Sequence, residues 1–243
     1  MTTLVHVAER RPLETSASTN GATRGLGALL IADALLSFAP LAILGPAIGW
    51  PASLGRPAAE QLAAIHANAG MVALGYGVYL LYSILVAPVM IGLAAKVFGG
   101  LQRPVAATVA AFGALSALAR AIGILRWLTV MPALATAHAA ADPATRGQIE
   151  LVFTAVTAYG GGIGEVLGVA LFMALALGTL CVAALRSGGM PRGLAGLGLA
   201  STALLAGLLL PVFGAAGVVP VAAAVSLLSV WMLAAGVWAL RRG

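Results

Sequence analysis

The sequence predicts an all-α polytopic membrane protein: one bundle of six transmembrane helices with both termini cytoplasmic. Three observations carry this. Apolar residues fill 61% of 243 positions and charged residues only 8%, whereas a soluble domain is about 45–50% apolar and about 25% charged. The apolar residues fall into six runs, each long enough at about 1.5 Å per residue to cross a hydrocarbon core of about 30 Å. Ala and Leu dominate those runs, and the alternation of polar and apolar positions that a barrel strand requires is missing.

Residues 1–24 read as a polar cytoplasmic tail, with Glu9, Arg10, Arg11, Glu14 and Arg24 and no early apolar stretch of the secretory-signal kind. Residues 25–243 form the transmembrane domain. The first span is expected over 26–46 and carries Asp33. A loop from Trp50 to Pro57 follows. Pro57, with Glu60 behind it, opens a short amphipathic lead-in over 58–66. The second span covers 67–95 and holds Tyr76, Tyr79, Tyr82 and Pro88, which is expected to kink it. A short basic loop (96–103) leads to Pro104, which starts a third helix running to about 137. Asp142-Pro143 breaks the pattern. The fourth helix is expected over 148–185, a glycine-rich turn over 187–193, the fifth span over 194–213 and the sixth over 220–240.

Six spans return the chain to the side on which it starts. Arg10, Arg11, Arg24, Lys96, Arg103, Arg186, Arg192, Arg241 and Arg242 then share that side, against Arg56 and Arg146 on the other. The positive-inside rule makes the richer side cytoplasmic, and Trp50 and Trp127 fall at the outer interface with Trp238 at the inner one. The net charge of +6 is thereby a topology signal, and no nucleic-acid partner is expected.

Two cations remain, Arg120 and Arg126, inside the third span. An arginine at bilayer depth costs about 3 kcal/mol on insertion scales, so partners are needed. Counted from the flanking cations at about 1.5 Å per residue, Arg120 lies about 25 Å above Arg103 and Arg126 about 34 Å. On the same scale Glu165 lies about 31 Å above Arg186, and Asp33 about 13 Å above Arg24. Glu165 is therefore expected to pair with Arg120 or Arg126, and the set Asp33, Arg120, Arg126 and Glu165 is neutral, as desolvation favours. Asp33 is too low for Arg126; Arg120 can reach toward it, or Tyr82, Ser83 and Ser116 can bridge. The arginines are about 120° apart around the helix, so they face different partners, and Arg126 beside Trp127 is placed to snorkel outward.

Gly160, Gly164 and Gly168 form a small-residue stripe suited to close helix packing, with a break in the helix as the other reading. Tyr76, Tyr79 and Tyr82 share one slowly drifting face, where they either hydrogen-bond across the bundle or line a polar pocket with Ser83 and Ser116. His66 and His138 fall at outer helix ends and read as surface histidines rather than ligands of a pigment or haem. Cys181, the single cysteine, lies within a span as a packing residue. No metal site, cofactor or catalytic residue is expected, since hydrolase, redox and phosphate-loop motifs do not occur.

The stretches Gly49-Trp50-Pro51 to Pro57, Leu74 to Ser83, Ala119 to Leu128 and Arg186 to Arg192 resemble an uncharacterised bacterial family of six-helix membrane proteins, a domain of unknown function. That resemblance implies six spans in a bacterial inner membrane and brings no established catalytic residues. The function expected is that of a non-enzymatic accessory or structural subunit of a larger respiratory or photosynthetic membrane complex, with lipids and other subunits as partners. The alternative is a small transporter or channel that uses the intramembrane Asp/Glu/Arg set.

Overall fold

The computed structural model describes residues 15–242, so Glu9, Arg10, Arg11 and Glu14 of the expected tail lie outside the described residues. Within that range the chain is a bundle of helices. Six stretches are long and apolar enough to cross a membrane: Gly21–Ile48, Ala69–Phe98, Pro104–Ala140, Pro143–Ser187, Arg192–Phe213 and Val221–Arg241.

The first and third of the expected single helices are broken for the same reason. The first span divides into α1 (Thr15–Leu36) and α2 (Ala39–Ile48), and the third into α5 (Pro104–Leu128) and α6 (Val130–Ala140). Pro40 and Pro132 each lie four residues beyond the last residue of the preceding helix. A proline has no N–H to give the carbonyl four residues back, and its ring clashes there, so α1 stops at Leu36 and α5 at Leu128. Pro88, by contrast, sits inside an uninterrupted α4 (Ala69–Phe98). The amphipathic lead-in is α3 (Ala58–Ala67), separated from α4 by Asn68. Gln61 of α3 donates to the carbonyls of Leu54 (3.3 Å) and Arg56 (2.7 Å), tying the loop after α2 onto this helix.

The fourth span starts five residues before the expected Gln148. Asp142 caps it, accepting from the backbone N–H groups of Ala144 (2.9 Å) and Thr145 (3.1 Å) and from the Thr145 hydroxyl (2.7 Å). These bonds hold the exposed Asp142 carboxyl below its ordinary range. From this cap α7 runs over Pro143–Gly161, the chain continues as a π-helical stretch (Gly162–Phe172), and α8 (Met173–Ser187) completes the span. The helix does not break at the glycines, the second reading of that stripe; its winding changes there instead. The fifth span is α9 (Arg192–Gly207) with a 3-10 turn at Leu210–Phe213, and the sixth is α10 (Val221–Arg241).

The two ends of the bundle are distinct. Lys96 lies 5.2 Å from the Trp238 ring and donates to Thr23 (3.5 Å), which puts the start of α1 and the ends of α4 and α10 on one face, called here the terminal face. Around it packs the larger apolar core, including Leu30, Met90, Leu93, Leu177 and Trp231. The opposite half has its own core, with Leu44, Leu62, Ile65, Tyr76, Trp127 and Phe153. α4 packs along α5, α1 along α10, and α5 along the π-helical stretch.

Candidate functional site

The expected glycine stripe packs the fourth span onto α5. A Cβ on Gly164 would come within 3.2 Å of the Gly123 Cα, and one on Gly168 within 2.8 Å of the Arg120 backbone nitrogen. Gly160 lies equally close under the Arg126 side chain. The Ser116 hydroxyl crosses the same seam to donate to the Gly168 carbonyl at 2.7 Å. Residue by residue, Gly168, Gly164 and Gly160 oppose Arg120, Gly123 and Arg126. Glu165 therefore sits between the two arginines in depth.

Depth does not become pairing. Among the described residues no arginine or lysine comes within 4 Å of a carboxylate; the ion pair present is His138–Glu150, at 2.9 Å. The expected Glu165 salt bridge is not formed with either arginine; beside these groups the aromatic rings of α4 and α5 stack into a ladder. Trp127 stacks on Tyr76 with centroids 4.8 Å apart, Tyr76 on Tyr79 at 6.5 Å and Tyr79 on Tyr82 at 5.8 Å. Arg120 ends the ladder. It lies 5.8 Å from the Tyr82 ring and donates to the Tyr82 hydroxyl at 2.9 Å, but Tyr82 does not carry the link on to Asp33, whose oxygens have no hydrogen-bond partner.

The four charges fall into two regions. Arg120 is 2% exposed and Asp33 is fully buried; Arg120 is the cation acting on Asp33. Both Asp33 oxygens, the Arg120 Nε and Nη2 and the Ser83 hydroxyl have no hydrogen-bond partner. Arg126 and Glu165 both line one cleft. Instead of snorkelling outward, Arg126 turns over Gly160, donates to the Gly123 carbonyl in its own helix and lies 5.4 Å from the Trp127 ring. Tyr76, Tyr79, Trp50, Trp127, Gly123 and Gly161 complete most of the cleft wall. Glu165 is exposed and also lines a second cavity of about 700 Å³, bounded by Gly207, Pro211 and Val219 beyond the fourth span. It forms part of the wall of both spaces.

Two residues of the cleft were assigned elsewhere by sequence. Trp50 and Trp127 point inward: Trp127 is 4% exposed, held between Tyr76 and an edge-on Phe153 (6.2 Å), and Trp50 meets Tyr79 edge-on at 6.0 Å. Gly123, midway between the two intramembrane arginines, is the counterpart of the glycine stripe on α5. His66 is exposed, and His138 is occupied by Glu150. Among the described residues no cluster of three His, Cys, Asp or Glu side chains could hold a metal.

A family model described as a domain of unknown function, DUF4386, matches residues 26–243. The chain belongs to the DUF4386 family. The DUF4386 match takes in all four intramembrane charges, the tyrosine ladder and the glycine seam. No curated protein and no solved structure matches the chain.

Proposed function

We propose that this DUF4386 protein is a small transporter of the bacterial inner membrane, and that the cleft between α4, α5 and the fourth span binds a small solute bearing an anionic group. One observation carries the reading: Arg126 reaches an aromatic-walled cleft with no carboxylate within 4 Å to neutralise it. Ionisable side chains within spans mark solute or proton paths when they face a cavity, and a guanidinium offers a planar, bidentate fit to carboxylate or phosphate. Trp50, Trp127 and Tyr79 supply flat apolar walls for the rest of the solute. Glu165, between two cavities on a π-helical stretch, is placed to follow the solute from one to the other; π-helical turns recur at functional sites. The cation-rich terminal face is assigned to the cytoplasm by the positive-inside rule, so the cleft opens in the outer half.

The test uses the purified full chain. Small organic carboxylates and phosphates are screened by quenching of tryptophan fluorescence, then by uptake into proteoliposomes. The expected result is one class of anion that quenches and is taken up, with Arg126→Gln lowering its affinity at least tenfold (about 1.4 kcal/mol). A protein that binds no anion, or whose binding survives Arg126→Gln, overturns the proposal. The same purification addresses the accessory-subunit expectation: membrane proteins that co-purify in fixed ratio would support it.

A further inference from the structure

The terminal face carries a second feature that the solute cleft does not use. Between the end of α4, the start of α5 and α8 runs a groove of about 1200 Å³. Its length is apolar, with Leu175 and Val182 both 39% exposed on its α8 wall. Its polar side chains are Thr179, Ser187 and two cations, Arg103 and Arg186, both exposed and both lining the groove at its terminal-face end.

No carboxylate lines the groove. The imbalance extends across that face. Among the described residues Arg24, Lys96, Arg103, Arg186, Arg192, Arg241 and Arg242 belong to it. The carboxylates Glu60, Asp142 and Glu150 belong to the other face, and Asp33 and Glu165 lie within the spans. The groove thus joins an apolar trough to a doubly cationic head, with nothing described in this chain to neutralise it.

We propose that the groove is a site for an anionic phospholipid, its phosphate between Arg103 and Arg186 and one acyl chain along α8. Scale agrees with charge: Leu175 to Arg186 covers about 16 Å at about 1.5 Å per residue, close to half of a hydrocarbon core of about 30 Å. Basic pockets between helices on the cytoplasmic side are the sites where anionic headgroups bind. A guanidinium suits phosphate because its fork of N–H donors engages two oxygens at once.

Native mass spectrometry of the full chain, titrated with phosphatidylglycerol or phosphatidylcholine, tests the site. Phosphatidylglycerol is expected to bind one per chain in preference to phosphatidylcholine. Each interfacial arginine contributes about fivefold to such binding, so Arg103→Gln/Arg186→Gln should weaken it roughly thirtyfold. Arg192→Gln, on the same face but outside the groove, should leave it unchanged. Val182→Trp fills the trough without touching charge and should also displace the lipid. Both arginines are exposed, so their loss leaves the fold intact, which an unchanged melting temperature checks. Equal binding of the two lipids overturns the proposal. So does full binding in the double variant, or an equal loss in Arg192→Gln. Retention in Val182→Trp overturns the acyl-chain placement.

Discussion

Arg120 and Arg126 lie six residues apart on one helix, yet the two regions they occupy meet the cost of an intramembrane charge in different ways. Toward the terminal face Arg120 is sealed. Gly168 presses on its backbone, Tyr82 takes one of its N–H groups, and fully buried Asp33 shares its surroundings. Farther out, Arg126 and Glu165 line opposite parts of a cleft, walled by rings and bordered by broken or rewound helices. The sealed region holds its charges through packing and the bond from Arg120 to the Tyr82 hydroxyl. The open region leaves its charges available. A lock needs only the first arrangement, so the second is where a ligand belongs.

The largest test of this contrast removes the sealed cation. Arg120→Met removes the cation that shares Asp33's buried surroundings and the donor to the Tyr82 hydroxyl; leaving buried polar groups uncompensated costs about 1–3 kcal/mol each, more where one is charged. Thermal unfolding in mild detergent should show that loss. Adding Asp33→Asn should recover most of it, because both charges are then gone. Arg126→Met in the open region should cost far less. Equal losses at the two arginines, or no recovery in the double variant, would remove the distinction between the regions.

The glycine seam gives the next largest effect and separates contact from flexibility. Gly168→Ala drives a methyl group to within 2.8 Å of the Arg120 backbone, and overpacking of this kind costs about 1–3 kcal/mol. At Gly162 nothing lies within 4 Å of an added Cβ. There alanine should stabilise by up to about 1 kcal/mol through helix propensity. Melting temperatures moving in the same direction for both variants would mean that the stripe is not a packing seam.

These contrasts also show which parts of the structure were legible in the sequence. Span number followed from apolar runs, and depth followed from the rise per residue: Glu165 does lie between Arg120 and Arg126, as the spacing from Arg103 and Arg186 required. Rotation about each helix did not follow. Trp127 and Trp50 are expected at an interface belt, but their rings turn inward onto Tyr76 and Tyr79, which depth cannot reveal. The π-helical stretch was hidden because glycines signal weakness in a helix without saying whether it will break, bend or rewind. The interruptions at Leu36 and Leu128 were readable from Pro40 and Pro132, but Pro88 shows why the rule alone misleads: the same residue type leaves α4 uninterrupted.

A smaller effect probes the tyrosine ladder where the two regions meet. The Tyr76 hydroxyl is buried without a partner, while the Tyr82 hydroxyl accepts from Arg120. Leaving a buried polar group unsatisfied costs about 1–3 kcal/mol, and taking away its partner exposes the other group to the same penalty. Tyr76→Phe should therefore leave the melting temperature unchanged or raise it, and Tyr82→Phe should lower it. The reverse order would place a partner at Tyr76 that the packing does not supply.

The smallest effect lies at the edge of the open region, where Asp142 starts the helix that carries Glu165. Its carboxyl is held below the ordinary aspartate value of 3.8 by bonds from Thr145 and Ala144. The sign follows from linkage: a group whose pKa is lower folded than unfolded adds stability that is present above its unfolded value and is lost as pH falls through its folded one. The advantage of the native chain over Asp142→Ala should then be full at neutral pH and shrink as the carboxylate range is crossed. Asp142→Asn keeps an acceptor for the same N–H groups but has no proton to take up, so its advantage over alanine should not vary with pH. A cap that acts through charge predicts that divergence between Asp and Asn in acid; a cap that acts only through shape predicts parallel curves. Because the site lies on the opposite face from the cationic groove, its titration should leave phosphatidylglycerol binding there unchanged.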